Sequence, residues 1–161
     1  MKMLTTQLAG LFQRISQQEE SIEETARLLA QAAIGEGTIF LAAFGEMKAV
    51  LPVALEGAEP LQKAVEWTSQ SIVMPEDRVW ILAKNDEADE LIGRLNDAHL
   101  PFAVLFGEAR EGIEADAAVS LGIRKGLIPL DDGSRSVHPY AIGALYVFHA
   151  VKLAIDEMLA E

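Results

Sequence analysis

Thr38-Ile39-Phe40-Leu41-Ala42-Ala43-Phe44, closed by Gly45, is the stretch on which the fold turns. It is short and apolar on both faces, so it reads as a buried strand with cover on each side. Upstream, Leu4, Leu8, Leu11, Ile15, Ile22, Ala26, Leu29 and Ala33 fall on one stripe of a helix. The polar middle, Gln17 to Glu20, leaves open one broken helix or two. Gly35 and Gly37 supply the permissive backbone that ends it. Downstream, Met47 to Leu55 reads as a helix, which Pro52 permits only in the first turn or at a kink. Gly57 and Pro60 close that segment.

The same pattern recurs. Arg78-Val79-Trp80-Ile81-Leu82-Ala83 and Pro101-Phe102-Ala103-Val104-Leu105-Phe106 are two further strands, and Ala117 to Leu121 is a short one. Ala64 to Val73 is ambiguous, with a strand expected at Ser71 to Met74 before the turn Pro75-Glu76-Asp77. Asn85 or Asp86 is expected to cap a helix running to Ala98. A loop, Leu130 to Ser136, precedes a last helix from Pro139 to Leu159. Strands alternating with helices predict right-handed crossovers and a three-layer α/β/α sandwich around a mostly parallel sheet. The 161 residues fit one domain, with a helical segment over 1–34 and an α/β core over 38–161. No repeat, low-complexity tract or long linker divides the chain.

Composition narrows the function. Acidic residues number 25 against 13 basic ones, a formal charge of −12. Duplex binding needs Lys and Arg to displace phosphate counterions, so nucleic acid is disfavoured, as are anionic membranes. There is no cysteine, hence no disulfide and no thiolate nucleophile or zinc site. No run of about 18 uncharged apolar residues suggests a membrane span, and the first residues lack a signal peptide's apolar centre. A cytoplasmic protein is the expectation.

In an open parallel sheet, ligands bind beyond the carboxyl ends of the strands, near the switch in strand order. That rule selects Gly45-Glu46-Met47-Lys48, Lys84-Asn85-Asp86-Glu87 and Gly107-Glu108. It requires the turns after Phe44, Ala83 and Phe106 to share one rim. The single glycine of the first loop makes neither a dinucleotide fingerprint nor a P-loop, so no nucleotide cofactor is implied. An ordinary turn accounts for Gly45 alone. The second loop opens a helix with Asp86, Glu87, Asp89 and Glu90, which can cap its own N–H groups and would repel a phosphate. Lys84 and Asn85 are its members suited to a ligand oxygen. Gly133-Ser134-Arg135-Ser136 offers hydroxyls and a guanidinium fork to an anion. A turn followed by a cap, from Ser136 or His138 with Pro139 at the first helical position, is the plainer account. His99, His138 and His149 are never four apart, so no helical metal pair exists. His138 stands beside the Ser134 loop, while His149 reads as a packed helix residue. Glu56 stands out because it closes an apolar helix. Trp67 and Trp80 read as core.

Several segments resemble the sugar isomerase (SIS) domain family, and within it the phosphoheptose isomerase-like branch. Ile22-Glu23-Glu24-Thr25-Ala26-Arg27-Leu28-Leu29 leading into Gly37–Gly45 is similar to its opening helix, first strand and glycine turn. Pro75–Ala83 is similar to its second strand, usually introduced by Asp. Ala115-Asp116-Ala117-Ala118-Val119-Ser120-Leu121 is similar to the segment entering a late strand, and Phe148-His149-Ala150-Val151 to part of the closing helix. The resemblance implies a five-stranded parallel sheet of flavodoxin-like or Rossmann-like topology. It also implies a phosphosugar or other small-anion ligand, and homodimers or homotetramers. It implies aldose/ketose phosphate isomerisation as the family chemistry; for such a reaction in this chain, Glu56, an approximate match to the family's glutamate base, and His138, beside the Ser134 loop, are the acid–base candidates. Gly45, Glu46, Met47, Lys48, Lys84, Asn85, Ser134, Arg135 and Ser136 would then hold the ligand. This chain departs from the family in both loops. Glu46-Met47-Lys48 replaces the serine of the first, and Lys84-Asn85-Asp86-Glu87-Ala88-Asp89 replaces Ser-x-Ser-Gly-x-Thr in the second. Of two histidines on the family's closing helix, His149 matches one and Ala144 falls near the other. A noncatalytic regulatory or interaction module on the same scaffold is the alternative.

Overall fold

The computed structural model describes residues 1–161. Two helices come first, α1 (Lys2–Ser16) and α2 (Glu19–Ile34), so the polar stretch at Gln17 separates two helices. Then follow β1 (Ile39–Ala43), a 3-10 turn (Gly45–Ala49) and α3 (Val50–Glu56). Pro52 lies in the first turn of α3, where a missing N–H costs nothing. The remaining elements are β2 (Ala64–Glu66), β3 (Arg78–Ala83), α4 (Asp89–Asp97), β4 (Phe102–Phe106) and β5 (Ala117–Ser120). A small hairpin of β6 (Ile128–Pro129) and β7 (Arg135–Ser136) precedes α5 (Tyr140–Leu159). No helix is long and apolar enough to cross a membrane.

Five strands pair in the order β2-β1-β3-β4-β5, every pair parallel. The chain moves from β1 one way to β2 and from β3 the other way to β4. Right-handed crossovers must then lie on opposite faces. Accordingly, Val50, Leu51 and Ala54 of α3 join the core of one face, and Leu91, Ile92 and Leu95 of α4 join that of the other. The layers are unequal. Helices α1, α2, α3 and α5 cover the first face over 27 buried residues, against 11 on the second, where α4 is the one helix. The connections β2–β3 and β4–β5 carry no helix, and their Trp67, Val73, Ile113 and Ala115 complete the second face. Trp80 is core, whereas Trp67 is half-buried beside Phe44.

Three local expectations fail. The edge strand is Ala64–Glu66 rather than Ser71–Met74, because the Ser71 hydroxyl accepts the Thr68 N–H and closes a turn there. Helix α4 starts after Ala88, not at Asn85 or Asp86, whose residues form the preceding turn. Helix α5 has Pro139 at its N-cap, with no side-chain bond from Ser136 or His138.

Candidate functional site

The switch in strand order falls between β1 and β3, and the region beyond their carboxyl ends, the β1/β3 crevice, is where sheets of this kind take ligands. All three turns meet on this rim, since β1, β3 and β4 run parallel and in register. The Phe44 N–H donates to the Leu82 carbonyl at 3.0 Å and the Gly107 N–H to the Lys84 carbonyl at 3.1 Å. Gly45 turns the chain out of β1 with φ +59°, a conformation that favours glycine. That turn sets the Glu46 carboxylate against the ammonium of Lys84, which leaves β3; Nζ and Oε1 are 3.0 Å apart. The same ammonium lies 4.9 Å from the ring centre of Tyr140, the first residue of α5. Tyr140 reaches the rim because Gly107 has no side chain. A Cβ there would sit 2.7 Å from Tyr140 Cε1 and 3.0 Å from the Lys84 carbonyl oxygen.

The second loop is closed by its own charges. Glu87 accepts the backbone N–H groups of Asn85 at 2.8 Å and Lys84 at 3.2 Å. These amides are where a ligand anion would sit, and a carboxylate already holds them. Asp89 forms a two-point pair with Arg110, at 2.6 and 3.0 Å. Arg110 also donates to the Asn85 carbonyl and lies 5.2 Å from the Phe106 ring centre. The Arg110 hydrogen bonds hold the Asp89 carboxyl below the usual carboxylate range. The Glu46 hydrogen bond holds the Lys84 ammonium above the usual lysine value. The site therefore keeps Lys84 charged, with its charge directed at Glu46 and the face of Tyr140.

The other candidates disperse. Met47 is fully buried in the first-face core, so its side chain is not a ligand contact. Lys48 is exposed and enters no ion pair. Glu56 ends a helix that returns from the rim. Ala54, two residues earlier, accepts the Leu61 N–H, and Lys63 already pairs with Ile39 at the start of β1. Glu56 thus lies toward the opposite rim and is no partner for a base in the crevice. His138 is exposed, just before Pro139. Ser134 bonds Asp132 through both hydroxyl and N–H. Arg135 donates to the carbonyls of Gly126 at 2.6 Å and Leu127 at 3.2 Å. Ser136 pairs with Ile128. These three residues build the hairpin. His149 is exposed, edge-on to Phe148, rather than packed inside. No three His, Asp or Glu side chains converge as metal ligands. Tyr140 and Arg110 escaped sequence reasoning because long-range packing alone brings α5 and the β4–β5 connection to the rim.

A family profile described as Domain of unknown function (DUF2529) matches residues 1–159. The uncharacterized protein YwjG of Bacillus subtilis (strain 168) is 33% identical over 170 aligned positions, spanning 100% of this chain and 98% of its own. Two solved structures share the fold. A proposed phosphosugar isomerase involved in capsule formation, from Bacteroides fragilis NCTC 9343, superposes with a TM-score of 0.60 at 15% identity, over 98% of this chain and 91% of its own. A proposed sugar-phosphate isomerase from Listeria monocytogenes str. 4b F2365 gives 0.57 at 16% identity, over 98% and 91%.

Proposed function

The chain belongs to the family Domain of unknown function (DUF2529), and from that premise we propose that it is a SIS-type domain that binds a phosphorylated sugar in the β1/β3 crevice. The observation that carries this reading is the Lys84 ammonium, held at the strand-order switch between Glu46 and Tyr140. A cation there meets a phosphate or sugar oxygen where α/β sheets of this kind take their ligands. The fold shared with two proposed sugar-phosphate isomerases supports the same class of ligand. Binding is the part of the family activity proposed here. With Glu56 away from the crevice, the pairing of Glu56 with His138 for proton transfer between C1 and C2 is not part of it. The resemblance adds a homodimer or homotetramer as the expected assembly, and the sequence a cytoplasmic location.

A second reading is a noncatalytic regulatory or interaction module. The Glu87 carboxylate on the Lys84 and Asn85 amides favours it, because it fills the anion seat from within. Thermal unfolding with fructose 6-phosphate, glucose 6-phosphate and sedoheptulose 7-phosphate separates the two. A ligand of the folded state at 100 times its Kd adds about 2.7 kcal/mol. Stabilisation by one of these sugars, abolished in Lys84→Ala, supports the crevice. No stabilisation of a properly folded protein by any of them, at millimolar concentration, leaves the second reading.

A further inference from the structure

Away from the crevice, α1, the β5–β6 connection and β7 enclose a cleft of about 360 Å³. Arg14, Arg124, Lys125 and Arg135 line it, four of the chain's 13 basic residues, and no carboxylate does. In a chain where acids outnumber bases about two to one, that segregation sets a local positive field against the overall charge. We infer that this cleft is a second binding site, for a small organic phosphate.

The cations are available. The side chains of Arg14 and Lys125 enter no ion pair, and that of Arg124 has only an exposed contact with Glu108 at 3.0 Å. Arg135 is braced: its Nε and Nη2 donate to the Gly126 and Leu127 carbonyls, leaving Nη1 for an anion oxygen. A guanidinium fixed in advance loses less freedom on binding. The backbone adds donors. The N–H groups of Arg124, Lys125 and Gly126 make no hydrogen bond within the chain, whereas Ile123 and Leu127 on either side are bonded to Gly107 and Val137. Both ends of the loop are thereby pinned. Gly126 also presses on β7, where a Cβ would come 2.6 Å from the Ser136 carbonyl oxygen. Three free amides between pinned ends, ringed by cations, match the several oxygens of a phosphate. Ile123 and Leu127 add apolar wall for the organic part. The volume is near the lower end for small-molecule sites, about 300–1,000 Å³.

None of this depends on the crevice, whose Gly45, Lys84 and Tyr140 do not line the cleft. The test titrates the full chain with pyrophosphate and with fructose 1,6-bisphosphate at constant ionic strength, reading backbone amide shifts and the thermal midpoint. The expected result is movement of the 122–127 amides and a higher midpoint. Arg14→Gln combined with Lys125→Gln should weaken the binding read at the 122–127 amides about tenfold or more, while Arg27→Gln combined with Arg94→Gln, two exposed cations outside the cleft, leaves it as in the native chain. The replaced side chains are all exposed, and the unliganded midpoint of each variant verifies that it folds. Still amides at 122–127, or undiminished binding after Arg14→Gln with Lys125→Gln, would overturn the inference. So would equal weakening by Arg27→Gln with Arg94→Gln, which would make the effect one of net charge rather than of the cleft.

Discussion

Gln18 and Ser120 exchange two hydrogen bonds, Nε2 to the Ser120 carbonyl at 2.7 Å and the Ser120 N–H to Oε1 at 3.0 Å. The side-chain amide thus pairs with the exposed edge of β5 as a further strand would, and it does so from the break between α1 and α2. An unpaired edge invites association with other chains. Gln18→Ala should lower stability by about 1–2 kcal/mol, read as a shift in denaturant midpoint. It should also raise the tendency to aggregate on heating. An unchanged midpoint would mean that water replaces the amide without loss.

Asp77 performs the corresponding task at the other rim. Only 7% exposed, its carboxylate accepts the Thr38 N–H and the Met74 N–H, each at 2.8 Å, and so ties the approach to β1 to the approach to β3. Asp77→Ala leaves both amides without this acceptor and should cost about 2–4 kcal/mol. A chain of this size loses about 2–4 °C of Tm per kcal/mol. A drop within error would show that the two amides find other partners.

Gly107 supports the floor of the crevice. Gly107→Ala forces Tyr140 away from the rim and should destabilise the fold by about 1–3 kcal/mol. Combining it with Tyr140→Ala relieves the ring contact at 2.7 Å but not the 3.0 Å approach to the Lys84 carbonyl. Partial recovery is therefore expected in the double variant. Full additivity of the two losses would show that the ring and the glycine do not interact.

The sheet was legible where burial alone writes the sequence. The run Ile39–Ala43, like Arg78–Ala83 and Phe102–Phe106, is apolar throughout because both faces are covered, and each became a strand. Residues 64–66 were not legible: β2 is a short edge strand with Val65 and Glu66 exposed, and its partner β1 defines it more than its own composition. The caps failed for a related reason. Asn85 and Asp86 are good cap residues, but Glu87 reaches back to the preceding amides and delays α4. At the site, strand order placed Glu46 and Lys84 correctly on one rim, whereas Tyr140 comes from more than 30 residues downstream through the packing of α5. Ser134 looked like a ligand residue because a hairpin turn and an anion cradle use the same residue types; its hydroxyl and N–H are both spent on Asp132.

Two ion pairs should act at opposite ends of the pH scale. Arg110 lowers Asp89, so that pair's stabilisation is complete above the ordinary carboxyl value of 3.8 and is lost as pH falls below it. Glu46 raises Lys84, so its stabilisation is complete below the ordinary lysine value of 10.5 and is lost as pH rises beyond the folded-state value. Both pairs are partly exposed, so each effect is expected at about 0.2–1 kcal/mol. Denaturant unfolding of Asp89→Asn should differ from the native chain at pH 6, and the difference should shrink as pH falls below 3.8. Glu46→Gln should instead approach the native chain as pH rises past 10.5. Parallel pH curves for native and variant would remove the assigned roles.

Glu87 decides how the crevice treats an anion. Its carboxylate is covalently tethered beside the Lys84 and Asn85 amides, so it competes with any phosphate at high effective concentration and adds repulsion. Asp86 and Glu90 flank it, and Lys84 is drawn toward Glu46. Glu87→Ala frees both N–H groups and removes one negative charge, while Glu87→Gln removes the charge but keeps an acceptor. If the amides are the seat of the ligand phosphate, affinity for fructose 6-phosphate should rise about tenfold or more in Glu87→Ala, an electrostatic gain of roughly 1.4 kcal/mol. The rise in Glu87→Gln should be smaller. Stability without ligand should fall by about 1 kcal/mol, because the loop loses its acceptor. Calorimetric titration of the three proteins reads both consequences. Equal affinity in all three, beside a measurable loss of stability in Glu87→Ala, would confine Glu87 to the shape of the loop and move the phosphate elsewhere on the rim.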